Sequence, residues 1–131
     1  MNEPKIGQTL SRDYTVTAAD LASAFGSGSV TVLATPKIVA LMEGVAAELA
    51  QGYLEDGITT VGAEISVKHM APTAEGVTVK ITAELTECDG RKFAFTLQAF
   101  DNVGLIATGN HVRASIKTAN FLKKAQERAQ Q

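Results

Sequence analysis

Three polar side chains sit in stretches of sequence that are otherwise apolar. Glu43 lies inside IVALMEGVAA, the most apolar helical run of the chain. An ionised carboxylate there is costly unless it is paired or wet, and charged groups are seldom buried without a partner. His69 closes an alternating segment, on the face shared by Val61, Ala63, Ile65 and Val67. Imidazole exchanges a proton near neutral pH, so an inward histidine can serve as acid or base. Thr35 stands directly before Pro36, at the start of the apolar helix. Its hydroxyl can cap backbone N–H groups. The same helix end offers unpaired N–H donors and a positive dipole to an oxygen that gains charge. Each residue also has an inert reading. Glu43 can lie on a narrow polar stripe with Glu48, His69 can be a core histidine with a satisfied hydrogen bond, and Thr35 can be a cap alone. Pattern leaves both readings open.

The remaining candidates are weaker. His111 and Arg113 share one face of the last strand, where cross-strand pairing on a solvated face is the favoured reading. Arg113 is the side chain there able to hold a phosphate or carboxylate. Cys88 lies beside a turn, far in sequence from any base, and does not read as a nucleophile. The stretch GSGS at 26–29 lacks the Lys-Ser/Thr of a phosphate loop and reads as a mobile loop, a lid over a site. With one cysteine and two histidines, no structural zinc site is expected.

The elements that must position these groups follow from periodicity. A first strand is expected over 8–16. A short helix follows over 18–25, with Thr17 as its cap and Asp20 in its first turn. Thr35 as N-cap and Pro36 at the first helical position open a helix over 36–51 that stops at Gly52. Ile38, Val39, Leu41, Met42, Val45, Ala46 and Leu49 cover most of that cylinder, as in a buried helix. Alternating strands are expected over 61–69, 77–85, 91–100 and 105–116. Asp89-Gly90 is a hairpin signal, and Asp101 to Gly104 marks a second turn. The tail, NFLKKAQERAQQ, reads as a charged, frayed helix. Strands joined by tight turns run antiparallel, and the long helix is the only large cover for their apolar face. The expected class is α+β, an antiparallel sheet wrapped around one long central helix, forming a single domain over 1–131.

Composition narrows the partners. The chain has 131 residues, 45% hydrophobic and 20% charged, with net charge -2. That balance argues against nucleic acid as the main partner. No apolar run approaches the ~20 residues of a membrane span. The opening MNEPKIGQTL lacks the basic and apolar regions of a signal peptide, and a lone cysteine fits a reducing compartment. A cytoplasmic protein with no membrane partner is expected.

Taken together, LATPKIVALMEG, VGAEISVKHMAPTAEGVTV, DGRKFAFTLQAFD and GLIATGNHVRA resemble the fluoroacetyl-CoA thioesterase-like family of hotdog-fold proteins. The resemblance runs from about Ile6 to Asn120. The family pattern has a Thr at the helix start and a Glu eight residues on. It then has a His at the end of the next strand, followed by a Pro-containing turn and a Gly. Thr35, Glu43, His69, Pro72 and Gly76 match it, and Gly62 matches a Gly on the strand before the His. The resemblance implies a hotdog fold, a homodimer with sites near the subunit interface, and hydrolysis of an acyl-CoA without a cofactor. It implies Thr35, Glu43 and His69 as catalytic residues, with Gly62 and Arg113 contacting substrate. The specialised fluoroacetyl-CoA enzymes have an aromatic-rich approach to the helix. Here GSGSVTVLAT has no aromatic residue after Phe25, so what carries over is hydrolysis of a small or short-chain acyl-CoA, not a fluorinated substrate.

In that scheme His69 is a general base or proton shuttle. Glu43 orients His69 and water or attacks the carbonyl itself, and Thr35 with nearby N–H groups holds the carbonyl oxygen. Two alternatives compete with it. A non-catalytic acyl-CoA-binding module would keep the cleft but has no need of an acid beside a base. A hotdog hydratase or dehydratase also uses a His with a carboxylate, but its motif spacing is absent.

Overall fold

The computed structural model describes residues 3–131. Strand β1 (Thr9–Thr15) leads through a 3-10 turn (Ala18–Asp20) and a one-turn helix α1 (Ala22–Phe25) to the long helix α2 (Thr35–Gln51). Four strands follow, β2 (Ile58–His69), β3 (Thr78–Cys88), β4 (Lys92–Phe100) and β5 (Leu105–Lys117), and helix α3 (Thr118–Ala129) ends the chain. All pairings are antiparallel, in the order β1-β3-β4-β5-β2. Helix α2 packs against all five strands. Its Ile38, Met42, Val45, Ala46 and Leu49 meet Val79, Ile81, Leu85, Phe93, Phe95 and Leu97 of β3 and β4. The expected sheet around one helix is therefore present, although α2 is not apolar all round. Ala40, Gly44 and Glu48 form an exposed stripe turned away from the core.

The turn chemistry read from the sequence holds. Gly90 has φ +94, and the Asp89 carboxylate accepts the Arg91 and Lys92 N–H groups. Asp101 does the same for Val103 and Gly104, and its second oxygen accepts the Thr73 hydroxyl. That contact ties this turn to the loop that follows His69.

Three details differ from the sequence reading. The helix expected over 18–25 is broken at Leu21, which leaves helical geometry to form a β-bridge with Leu33. The exposed GSGS loop is thereby clamped at its stem, with Ala22 N–H donating to Val32 and Ser23 N–H to Val30. Second, the N-cap of α2 is Ala34; Thr35 is the first helical residue and its hydroxyl makes no capping bond. Third, β2 starts at Ile58 and carries a bulge between Gly62 and Glu64. One extra residue inverts the side-chain alternation. Val61 and Ala63 therefore do not share the face of Ile65, Val67 and His69; Thr60 and Gly62 do.

Candidate active site

The site lies along the seam between α2 and β2. At the N-terminal end of α2, Thr35 Oγ1 lies 2.7 Å from His69 Nδ1. Because Ala34 takes the cap position, the threonine hydroxyl is free for this bond. The other ring nitrogen, Nε2, is buried and has no hydrogen-bond partner among the described residues. Buried polar atoms are rarely left so, and such an atom calls for an explanation. A cleft of about 180 Å³, lined by Val32, His69, Met70, Ala71 and Pro72, opens at this end of the helix.

Asp20 fixes the approach to this helix end. Its buried carboxylate accepts the Tyr14 hydroxyl at 2.7 Å and the Thr17 N–H and hydroxyl at 2.8 and 2.9 Å. Lys37 lies 3.5 Å from its other oxygen. Burial pushes the Asp20 carboxyl up, but the bonds from Tyr14 and Thr17 and the charge of Lys37 outweigh it and hold the group below its usual range. The Asp20 carbonyl accepts the Ala34 N–H at 2.9 Å, which sets the residue before Thr35.

The second group of polar side chains lies about 12 Å further along the helix, eight residues at 1.5 Å each. Arg113 Nε donates to Thr60 Oγ1 at 2.8 Å and Nη2 donates to the Thr60 carbonyl at 3.0 Å. Arg113 Nη1 lies 3.2 Å from His111 Nε2 and 3.9 Å from Glu43 Oε2. A guanidinium only donates, so His111 Nε2 accepts and its Nδ1–H donates to the Glu64 carbonyl at 2.7 Å. This arrangement requires neutral imidazole. Burial, joined by the Arg113 charge, holds the His111 pKa below its ordinary 6.5, against the opposing pull of the Glu64 carbonyl and Glu43. Burial also lowers the Arg113 pKa, and Glu43 opposes it.

Glu43 is less buried than its sequence context suggests: its side chain is 40% exposed, against 9% for Arg113. It is both wet and paired, which is how an ionised carboxylate is tolerated there. Gly62 makes room for it. A Cβ at that position would lie 2.6 Å from Glu43 Oε2 and 3.4 Å from the His111 ring.

The structure thus brings Thr35 to His69, and Glu43 to Gly62 and Arg113. Among the described residues no hydrogen bond joins Glu43 to His69. The solvated face expected for His111 and Arg113 is corrected: both are buried, on the α2 side of the sheet. Sequence reasoning passed over Thr60 and gave His111 only a surface role. A signal for His111 was present. Folding β4 and β5 about the Asp101–Gly104 turn sets Phe95 opposite His111 and Phe93 opposite Arg113. In the sequence, Phe93 and Phe95 alternate with polar or small residues as an apolar face.

A profile of the fluoroacetyl-CoA-specific thioesterase family matches residues 16–119. The chain belongs to this family. The fluoroacetyl-CoA thioesterase of Streptantibioticus cattleyicolor is 38% identical over 97 residues, which are 74% of this chain and 70% of that protein. The crystal structure of a point mutant of the fluoroacetyl-CoA-specific thioesterase FlK is similar with TM-score 0.92 and 30% identity, covering 98% of this chain and 99% of that one. A thioesterase superfamily member from Thermus thermophilus, 22% identical with TM-score 0.89 over 99% and 98% of the two chains, shares the fold. The fold is the hotdog fold, as the resemblance implied. Family membership makes the chain a thioester hydrolase by kind, and among the described residues no helix is long and apolar enough to cross a membrane.

Proposed function

We propose that this protein hydrolyses a small acyl-CoA to the acid and free CoA, at a site completed by a second copy of the chain. The observation that carries the reading is the Thr35–His69 pair at the α2 N-terminus, with an unpartnered Nε2 on a histidine that lines a small cleft. A FlK mutant has been crystallised with fluoroacetate and CoA, and that chain is 31% identical to this one with TM-score 0.85.

With its proton on Nδ1, donated to Thr35, His69 has its Nε2 lone pair free to take a proton. Water then attacks the thioester carbon, its proton passes to Nε2, and the C–S bond breaks. The imidazolium returns the proton to the departing thiolate. Free N–H groups of the first turn of α2, with the Thr35 hydroxyl, suit the carbonyl oxygen as it gains charge. Glu43 supplies the carboxylate of the reaction, either by orienting the water or as the attacking nucleophile. Gly62 and Arg113 hold the acyl end, Arg113 being kept in place by Thr60 and His111.

Separation supports the second copy. Some 12 Å of helix divides Thr35 from Glu43 in one chain. Strand β2 is a sheet edge, and Gly62–Ser66 is exposed along it. Antiparallel pairing of two β2 edges about Glu64, with Ala63 bulged out of each, sets the partner subunit's Gly62 beside Ile65, and so nearer His69 than the Gly62 of the same chain. The partner's Glu43 comes with it. The pairing also covers an edge that would otherwise invite aggregation. The one cysteine, half-buried Cys88, is free, which supports the cytoplasmic reading.

The test is release of free CoA thiol from acyl-CoAs of increasing length. Higher kcat/KM for acetyl-, fluoroacetyl-, propionyl- or isobutyryl-CoA than for palmitoyl-CoA is expected. A steady rise out to palmitoyl-CoA contradicts the small pocket. No release from any member leaves a binding module.

A further inference from the structure

A groove of about 430 Å³ lies at the far end of the sheet from His69, where β2 and β5 pair and α3 begins. Ile58, Ile116 and Phe121 give it apolar walls, and Arg91, Lys117 and Lys124 surround them. No carboxylate lines it, and none of the three cations is in a salt bridge among the described residues. In a chain of net charge -2, three unpaired cations around one groove are a local reversal of field. Phe121 is left 43% exposed, so an aromatic face is available for stacking. Cations beside an aromatic face suit a phosphorylated nucleoside.

We propose that this groove holds the nucleotide end of CoA, adenine with its 3′-phosphate and diphosphate, while the thioester lies at His69 of the other protomer. The proposal rests on the thioesterase reading and on the β2 edge dimer. Reach decides which His69 is served. In one chain the groove and His69 stand at opposite ends of β2, eleven steps of about 3.3 Å, or roughly 36 Å. An extended CoA arm from sulfur to the ribose phosphate spans roughly 25 Å, at about 1.25 Å of advance per bond. Antiparallel pairing about Glu64, with Ala63 bulged out of each strand, instead sets the partner subunit's Ile58 beside His69, one strand spacing of about 4.8 Å away. The partner's groove then lies within reach of the thioester, and each CoA bridges the two copies.

Three measurements test this. Adenosine 3′,5′-bisphosphate titrated into the native protein by calorimetry should bind, and the Arg91→Ala/Lys124→Ala double variant should bind it at least 10-fold more weakly. Equal binding, or none to the native protein, overturns the groove. This arm needs no turnover, so a protein that binds the bisphosphate but cleaves no thioester refutes the hydrolysis reading and leaves the groove standing. The second compares acyl-CoA with the matching acyl-pantetheine, which lacks the nucleotide. The ratio of their kcat/KM values should fall about 10- to 100-fold in the double variant through KM for acyl-CoA, a range expected for losing two charge-assisted contacts. An unchanged ratio overturns the proposal. The third mixes the double variant with His69→Ala and lets subunits exchange. Sharing across protomers leaves one intact site per mixed dimer and restores turnover at the native KM. Turnover only at the raised KM overturns the bridging.

Discussion

His69 has a defined partner in Thr35, and Glu43 has one in Arg113; the proposed chemistry needs the two pairs to act on one substrate. Groups that act as a unit lose activity non-additively. His69→Ala should lower kcat by roughly 10²–10⁴-fold, the range for a lost general base. Glu43→Gln should do comparable damage and the double change little more, as steady-state kinetics on folded variants can show. Near-native turnover in folded His69→Ala removes the mechanism. Thr35→Ala should reduce kcat while leaving the melting temperature close to native, because its hydroxyl does not cap the helix. His111 sets a stability trend. Its folded pKa lies below the 6.5 of the unfolded chain, so as pH falls from 6.5 towards the folded value the unfolded state takes up a proton that the folded state does not. Its contribution is complete above 6.5 and is lost as pH drops through that window. His111→Gln should flatten this part of the pH–stability curve measured by urea denaturation, and an unchanged slope would show that His111 is not its source.

At the level of elements, most of the fold was legible because it is local. Asp89-Gly90 and Asp101–Gly104 declare their turns, and Thr78–Cys88 and Lys92–Phe100 alternate cleanly. Thr35, Glu43 and His69 stood out as polar residues in apolar surroundings, and a motif linked them. Two things stayed hidden. The break at Leu21 depends on a bridge to Leu33, twelve residues away, which local helix propensity does not encode. The bulge in β2 is a pairing defect, visible only once β5 is laid beside it. Until then simple alternation puts Gly62 on the opposite face from His69. The bulge also makes a prediction. Deleting Ala63, the extra residue between Gly62 and Glu64 in that pairing, turns Thr60 and Gly62 away from Arg113 and Glu43. The deletion should unfold the protein or abolish turnover, whereas Ala63→Ser should be tolerated. Thermal melts and thiol release decide between them, and an active deletion variant would refute the parity argument.

At the scale of the whole molecule, exposed sheet edges bear on assembly. A five-stranded sheet ends in two edges, and β2 exposes Ile65 on its own, with Met70 just beyond it. The protein should run as a stable homodimer by light scattering at micromolar concentration. Glu64, Ser66 and Lys68 turn their N–H groups to β5, in step with the bond from Met70 N–H to Ile106, so Ile65→Pro removes a backbone N–H that faces out from the middle of that edge. If two copies join there, this change should yield monomers with little activity and near-native circular dichroism. A dimeric, active Ile65→Pro protein would place the interface elsewhere.

The clamp on the loop before α2 separates two kinds of change. The Leu21–Leu33 bridge and the bond from Ala34 N–H to Asp20 close the stem below Ser23–Thr31, so the start of α2 is set without help from the loop tip. Loop closure is forgiving, since doubling the length of a flexible loop costs only about 0.6 kcal/mol. Insertions and aromatic replacements at 26–29 can therefore remodel the exposed loop tip while Thr35 keeps its place against His69. Variation in that one short exposed segment is thereby uncoupled from the geometry at Thr35, and the two can change under separate selection.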